Sequence, residues 1–281
     1  MRTRARPGPI VCIGAAALDR IFFTEQPALV GTSNPARVRS GFGGVARNVA
    51  ENLARLGADV SLFSVVGDDE GGRAMLQQLA DAGCDVSGVR TLPRAVTAEY
   101  AAIIGPDGEL FTGACDAHVL ESLSIEDLDR WLAAAADAQW VFLDCNLPRA
   151  ILAACVDRRS AARWRLAVDG TSVAKVRSLP EDLSAVDLLF ANRDEAAVLG
   201  RCNARNTVIS RGAQGISIVA GSERTELCAP SARAVDVTGA GDALIAGTLY
   251  GLLQGRTLDH AARAGLRLAA RTVESPAAVP R

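Results

Sequence analysis

The feature that most restricts the fold of this chain is the alternation of short apolar segments with helical patterns. The candidate strands lie at about residues 10–16, 60–66, 140–144, 165–169, 186–191 and 206–211, and helical patterns separate several of them. A strand that is apolar along its whole length needs cover on both faces. The order therefore predicts an α/β fold in which a mostly parallel, doubly wound sheet lies between two helical layers.

Domain organisation follows from what interrupts this alternation. The 281-residue sequence has no linker rich in Ser, Gly or Pro and no repeat of 20–50 residues, so we predict one domain over residues 10–281 after a flexible tail of residues 1–9. Residues 20–42 lack a clear helix, and residues 97–115 predict a β-hairpin. Together they predict a small antiparallel layer, which is either a lid over a cleft or a surface decoration.

Composition excludes several classes of partner. Thirty Lys and Arg residues balance 32 Asp and Glu residues without a basic stripe, which argues against binding to a nucleic-acid polymer. No apolar run approaches the roughly 18 residues of a membrane span. Seven scattered cysteines and two histidines supply no Cys/His zinc site and fit a reducing cytoplasm. The arginine-rich start followed by residues 10–18 imitates a secretory signal, but Asp19 interrupts it.

The chain has a single lysine, Lys175. No G-x-x-x-x-G-K-[ST] loop exists, so P-loop NTPases and protein kinases, which place a lysine against phosphates, do not fit. Any phosphoryl transfer must instead use backbone amides and a helix terminus.

The first motif begins at Gly43 and Gly44 and continues as a helix that ends near Gly57. Asn48 falls on or beside the apolar stripe of this helix. The glycines would let a polyhydroxyl ligand approach the backbone while Asn48 bonds its hydroxyl groups, or Asn48 only ties down neighbouring backbone. Residues 41–46 also match G-x-G-x-x-A, but the preceding segment is a poor buried strand, which weakens a dinucleotide-binding interpretation.

The second motif, Gly239, Ala240, Gly241 and Asp242, opens an apolar helix. Small residues at a helix start leave amide groups exposed, with the positive end of the helix dipole behind them, and so predict an anion hole. Asp242 would take a proton from a substrate hydroxyl while the amides stabilise a transferring phosphoryl group. The alternative is that Asp242 only complements the helix dipole.

Together these motifs resemble the PfkB/ribokinase family of carbohydrate and nucleoside kinases. The first family signature is met by Gly43, Gly44, Asn48, Ala50 and Gly57, and the second by residues 236–247, with Val237 where many members have Thr. The resemblance covers roughly residues 10–275. It implies a ribokinase-like three-layer fold with a β lid at residues 20–42 and 97–115, an ATP-dependent kinase activity and a homodimer formed through the lid.

The resemblance also implies a nucleotide site. Asn192 and Glu195 match the family's N-x-x-E element, so Glu195 would place Mg²⁺ through water, and a monovalent cation such as K⁺ is a further candidate cofactor. The nucleotide-binding turn and the anion hole would contribute Ser210, Arg211, Gly212, Gly215, Thr238, Gly239 and Gly241.

On the acceptor side, Asp19 matches the aspartate that holds sugar hydroxyls. Asn146 follows a strand, where α/β sheets place ligand groups, although a turn-forming Asn is the equal alternative. Ser33 and Asn34, with the Arg-Asn-Val-Ala-Glu-Asn-Leu-Ala run, are similar to the pseudouridine kinases and would lie near the nucleobase.

The implied reaction is transfer of a phosphoryl group from ATP to the 5′-hydroxyl of pseudouridine. Three alternatives stay open at this point. Another nucleoside or sugar, such as adenosine or ribose, would keep the chemistry; an NAD-dependent oxidoreductase would use residues 41–46; and a regulator would bind sugar or nucleoside without catalysis.

Overall fold

The computed structural model describes residues 9–275 and 278–279, so the predicted tail of residues 1–9 lies outside the described residues except for Pro9. In chain order, the strands are β1 (Ile10–Ile13), β2 (Ala17–Thr24), β3 (Ala36–Gly43), β4 (Val60–Phe63), β5 (Val65–Gly67), β6 (Arg90–Leu92), β7 (Ala98–Ile104), β8 (Leu110–Asp116), β9 (Trp140–Asp144), β10 (Arg165–Asp169), β11 (Leu188–Asn192), β12 (Thr207–Ser210), β13 (Ile216–Ala220) and β14 (Glu223–Leu227). The α-helices are α1 (Val45–Arg55), α2 (Glu70–Asp81), α3 (Ile125–Ala134), α4 (Arg149–Arg159), α5 (Arg193–Leu199), α6 (Ala240–Leu253) and α7 (Leu258–Val273).

The main sheet has eight strands in the order β14-β13-β12-β11-β10-β9-β1-β4. The six strands from β12 to β4 run parallel, and β13 and β14 add an antiparallel edge. Because the parallel strands share one direction, the residues that follow β1, β9, β10, β11 and β12 meet at one edge of the sheet, which is where open α/β sheets bind ligands.

Hydrophobic cores cover both faces of this sheet. Successive residues of a strand point to opposite faces, so Ile10 and Cys12 pack into the core beneath α1, α2, α6 and α7, while Val11 and Ile13 pack into the core beneath α3 and α4. All four side chains are at most 5% exposed. This explains why the strands are apolar throughout and confirms the predicted three-layer α/β fold.

Helices α6 and α7 pack together through glycine. A Cβ atom on Gly247 would lie 2.7 Å from the Gly265 Cα atom, and one on Gly251 would lie 2.8 Å from the Ala261 Cα atom. Since real Cβ atoms do not approach other atoms this closely, glycine is what lets the two backbones touch.

A smaller sheet has the order β3-β2-β7-β8. Strands β7 and β8 form the hairpin predicted at residues 97–115, and β2 and β3 also pair in antiparallel fashion, as expected for the small antiparallel layer. The inner strands β2 and β7 pair in parallel, which the sequence did not indicate. Strand β8 is exposed along its whole length.

Local sequence signals place several elements correctly. The spacing of Ser124 and Asp127 in the sequence is that of a capping box, and in the structure Ser124 caps α3 in this way; α1 begins after Gly44, as the glycine pair predicts. The strand predicted at residues 10–16 ends earlier, at Ile13, since the chain leaves the main sheet there to enter the smaller one. In the described part of the chain, no helix combines the length and apolar character needed to cross a bilayer.

Candidate active site

Two cavities border the segment of residues 238–242 that leads into α6. The large cavity, of about 720 Å³, is bordered by the smaller sheet and α1 and includes Asp19, Gly41 and Thr238 in its lining. The small cavity, of about 170 Å³, lies over β10, β11 and β12 and includes Asp169 and Asp242. The segment that opens α6 therefore borders both cavities.

The start of α6 has a conformation that requires glycine. Gly239 has φ 77°, in the left-handed region, and a Cβ atom there would lie 2.3 Å from the Ala278 carbonyl oxygen. The Ala240 amide donates to the Val237 carbonyl at 3.3 Å. The amides of Gly241 and Asp242 belong to the first turn, where an α-helix provides no acceptor, so these two are the donors suited to an anion.

Asp242 contacts the first motif directly. The Asn48 side chain, only 5% exposed, donates from Nδ2 to the Asp242 Oδ2 atom at 2.7 Å, joining α1 to α6. Burial raises the pKa of Asp242 to about 7, with further raising contributions from Asp144 and Asp19 and opposing ones from Asn48 and Arg47. A carboxyl group whose pKa lies near neutrality is suited to accept a proton from a hydroxyl group.

Asp144, at the end of β9, organises the backbone beneath the site. Its fully buried carboxylate accepts from the amides of Ala15 at 2.9 Å, Ala46 at 2.8 Å and Asn146 at 2.9 Å. It thereby holds the exit of β1 and the first turn of α1 against the end of β9. Sequence reasoning missed this residue and considered only its neighbour Asn146.

A second group of carboxylates faces the small cavity. Burial, with added repulsion from Asp242 and Glu195, raises the pKa of Asp169 well above its usual range. Glu195 is 3% exposed, and it forms a capping box with Asn192 in which the Asn192 amide donates to Glu195 Oε2 at 2.9 Å. The N-x-x-E element is thus a helix start whose carboxylate is buried. The sequence analysis did not identify Asp169 as a site residue.

The acceptor-side candidates Asp19, Gly43 and Gly44 lie together. A Cβ atom on Gly43 would lie 2.3 Å from Asp19 Oδ2, and one on Gly44, at φ 90°, would lie 2.4 Å from the Ala15 carbonyl oxygen. The paired glycines therefore let β3 pass close to Asp19 on β2. Burial raises the pKa of Asp19 to about 6, against the opposing charges of Arg47 and Arg39.

Asn146 and the Ser33–Asn34 pair engage the protein itself. The Asn146 side-chain oxygen accepts from Lys175. Asn34 accepts from the Leu29 amide at 2.8 Å and donates to the Leu29 carbonyl at 3.0 Å, which closes an exposed loop, and neither Ser33 nor Asn34 lines the two cavities.

The predicted nucleotide turn divides into two parts. Ser210 ends β12 and lines the small cavity. Arg211 instead pairs with Glu226 on β14. Gly212 and Gly215 form the tight turn into β13, where a Cβ atom on Gly215 would lie 2.0 Å from the Leu227 carbonyl oxygen. Only Ser210 of this group reaches the small cavity.

The dinucleotide alternative loses its structural basis here. The fingerprint requires a buried parallel strand before the glycines. Residues 41–43 instead end β3, an antiparallel and largely exposed strand of the smaller sheet.

Comparison with known proteins agrees with this geometry. The pfkB family of carbohydrate kinases matches residues 9–280. The pseudouridine kinase of Escherichia coli is 29% identical over 257 residues, covering 85% of this chain and 82% of its own length. An uncharacterised sugar kinase of the same organism is 31% identical over 279 residues, covering 92% of this chain and 76% of its own length.

Among solved structures, a carbohydrate kinase from Agrobacterium tumefaciens has a TM-score of 0.81 and 31% identity, covering 97% of this chain and 92% of its own. The structural match covers 97% of the chain, and the family match covers residues 9–280. The resemblance predicted from the sequence is confirmed, and the chain belongs to the pfkB family of carbohydrate kinases.

Proposed function

We propose that this family member is an ATP-dependent nucleoside kinase that phosphorylates the 5′-hydroxyl of pseudouridine. One observation carries the kinase chemistry. The carboxylate of Asp242 lies in the first turn of α6, beside the Gly241 and Asp242 amides, and lines the small cavity, while Thr238, just before this helix, lines the large cavity.

Proton transfer in this proposal belongs to Asp242. It accepts the proton of the acceptor hydroxyl as the hydroxyl oxygen forms a bond to the γ-phosphorus of ATP. The bond between that phosphorus and the bridging oxygen breaks, and ADP leaves with the electron pair. The Gly241 and Asp242 amides stabilise the charge on the transferring group, replacing the lysine of a P-loop.

The small cavity would take the phosphate end of ATP. Kinases of this family use ATP and Mg²⁺. In the described residues no three His, Cys, Asp or Glu side chains lie close enough to chelate a metal, whereas Asp169, Asn192 and Glu195 provide oxygen donors around the cavity. This donor set fits Mg²⁺, which keeps several waters and takes one or two carboxylates with substrate phosphates. Bound there, Mg²⁺ would neutralise phosphate charge.

The large cavity would hold the acceptor. Asp19, which lines this cavity, would bind its hydroxyl groups. Gly43 and Gly44 do not line it, and their lack of Cβ atoms instead leaves room for the Asp19 carboxylate and the Ala15 carbonyl. Support for pseudouridine comes from the likeness to the E. coli enzyme and from the Ser33–Asn34 segment. Asn34 now bonds Leu29, so contact with a nucleobase requires the loop of residues 29–34 to rearrange.

The deciding experiment measures ATP consumption with Mg²⁺ across pseudouridine, uridine, cytidine, adenosine, ribose and fructose 6-phosphate, with the product identified by mass. Preferred turnover of pseudouridine supports the whole proposal. Preferred turnover of another compound keeps the kinase chemistry and rejects the substrate. If ligands stabilise the protein but none is phosphorylated, the chain is a binding protein instead. Omitting and adding KCl tests the K⁺ prediction.

We further propose that two copies associate through the smaller sheet and that the protein works in the cytoplasm. Strand β8 is an exposed sheet edge, and Leu110 and Phe111 on it are 55% and 47% exposed. Light scattering should therefore give a dimer mass, and replacing Phe111 with Asp should give a monomer. A wild-type monomer at micromolar concentration would contradict the dimer.

A further inference from the structure

Arg47 is a buried cation that the reaction proposed above does not use. It lies in the first turn of α1 and is 2% exposed. Its guanidinium donates to the Phe42 carbonyl oxygen at 2.9 Å and to Gln78 Oε1 at 2.9 Å, and it pairs with the equally buried Glu51. It therefore joins the end of β3 to α1 and α2.

This arrangement is a costly one for side chains so deeply buried in the wall of the large cavity. A buried ion pair often contributes less to stability than apolar side chains of the same volume. The Arg47 Nε atom has no hydrogen-bond partner among the described residues, which adds a desolvation penalty. Packing alone therefore gives a poor account of Arg47.

The fourth contact of Arg47 reaches the site. The guanidinium donates to the Asn48 Oδ1 atom at 2.8 Å. Arginine has donors only, and an ionised carboxylate has acceptors only. The Asn48 oxygen must consequently face Arg47 and its NH₂ group must face Asp242, as the 2.7 Å bond to Asp242 Oδ2 has it. The opposite orientation would place like groups against each other on both sides.

We propose that Arg47 is a positioning residue that acts through Asn48: it fixes the orientation of the Asn48 amide, which in turn holds the ionised Asp242 carboxylate in place for proton transfer. The proposal rests on the role of Asp242 given above. Arg47 also lines the large cavity, beside Asp19, and the contribution proposed here is the one it makes through Asn48, to geometry and charge at Asp242.

The charges around Asp242 set the expected pH effect. Asp19 on β2, Asp144 on β9 and Asp169 on β10 repel its negative charge, whereas Arg47 on α1 attracts it. Removal of Arg47 leaves the three carboxylates and takes away the opposing charge. Ionisation of Asp242 should then need a higher pH.

The test removes Arg47 together with the negative charge of its ion-pair partner Glu51, which also pairs with Arg55. Arg47→Met is made in a Glu51→Gln background, and Glu51→Gln alone is the matched control, since the new glutamine side chain keeps an acceptor oxygen for Arg47. The acceptor is whichever compound the wild type phosphorylates best. Circular dichroism and thermal unfolding establish that both variants fold.

The double variant should lower kcat about ten- to hundredfold relative to Glu51→Gln, in line with loss of a hydrogen bond to a charged group, and move the acid limb of the kcat profile to higher pH. KM for ATP should stay within about threefold of the control. A purely structural role would lower the amount of folded enzyme without moving the pH profile.

A double-mutant cycle tests the route through Asn48. In an Asn48→Ala background, Arg47→Met should cause little further loss of kcat, because the amide through which it acts is gone. Equal losses with and without Asn48, or a kcat and pH profile equal to the control, would overturn the proposal. If Asp242→Asn keeps wild-type activity, the proposed role of Asp242 as the base is rejected as well. If Asp242→Asn is inactive while Arg47→Met matches the control, only the inference about Arg47 is rejected.

Discussion

The two halves of the cleft differ in what opposes their negative charge. Asp19 and Asp242 lie near Arg47, whose charge lowers the pKa of both carboxyl groups against the effect of burial. For Asp169, over β10, the opposing contribution comes from the Thr171 amide, and its neighbours Asp242 and Glu195 are themselves acidic. In the half with its own arginine the protein itself supplies an opposing positive charge, whereas the other half would gain one from the proposed Mg²⁺.

The strongest test of this division is Asp242→Asn. The variant keeps an acceptor oxygen for Asn48 and removes the proton acceptor, so kcat should fall by about 10²–10⁴ while the fold is kept. Phosphate release or product mass measured under saturating substrates checks the rate, and circular dichroism checks the fold. A folded Asp242→Asn enzyme with wild-type kcat would remove Asp242 from the chemistry.

The pH dependence should follow the same carboxylate. The pKa of Asp242 is about 7, and the base is active when ionised, so kcat/KM should rise about tenfold per pH unit below 7 and level off above it. The sign for stability is opposite. The native state holds this proton more tightly than the unfolded chain, so its stabilising contribution, full below pH 3.8, is lost as pH rises to about 7.

Two measurements check both signs. A pH profile of kcat/KM between pH 5 and 8 gives the rate limb. Thermal unfolding of the wild type and Asp242→Asn at pH 5 and pH 8 gives the stability. The Tm of the variant, relative to that of the wild type, should be higher at pH 8 than at pH 5. A difference that shrinks with pH would contradict the assigned pKa direction.

Asp19→Asn should separate acceptor binding from nucleotide binding. Loss of a charged hydrogen-bond partner should raise the acceptor KM about ten- to hundredfold, while the KM for ATP changes little. Initial rates with each substrate varied in turn make the comparison. Equal increases in both constants would mean that Asp19 supports the cleft as a whole.

Asp169→Asn is the matched change in the other half. Because this half relies on an added cation, the variant should need about three- to tenfold more Mg²⁺ for half-maximal rate, with the acceptor KM unchanged. Titration of MgCl₂ at fixed ATP measures this. An unchanged Mg²⁺ requirement would show that Asp169 lies outside the metal's reach.

The smallest effect is expected at Arg211, which the sequence placed among the nucleotide contacts. Its side chain pairs with Glu226 on β14 and does not line the small cavity. Arg211→Gln should leave the KM for ATP within about twofold of the wild type, whereas Ser210→Ala should raise it. A larger effect of Arg211 would restore the sequence-based prediction.

Local patterns predicted the architecture because each strand and cap carries its own signal. The apolar run of β9 and the Ser124 capping box need no information from distant residues. Asp144 and Asp169 share a weaker signal, since each carboxylate directly follows a buried apolar strand, but their convergence depends on the strand order of the sheet. The sequence of β9 or of β10 alone does not determine that strand order.

Arg47 and Arg211 show the limit of local patterns for a related reason. The i,i+4 spacing of Arg47 and Glu51 is typical of a solvated helix face, and only the packing of β3 and α2 over α1 buries the pair. Arg211 lies in a turn that points its side chain to β14. In both cases the neighbouring strand or helix, distant in sequence or across a turn, decides what the side chain contacts.

The backbone contact between α6 and α7 has a consequence for how this enzyme moves. Gly247 and Gly265 bring the two helix backbones into direct contact, so we expect the proposed phosphate-binding amides at the start of α6 to move together with α7. We then expect any opening and closing to come from the exposed strands of the smaller sheet. Hydrogen–deuterium exchange should accordingly be slow in the middle of α6 and fast in β3, the edge of the smaller sheet away from the proposed β8 contact, and substrate should slow the exchange of β3 far more than that of the helix.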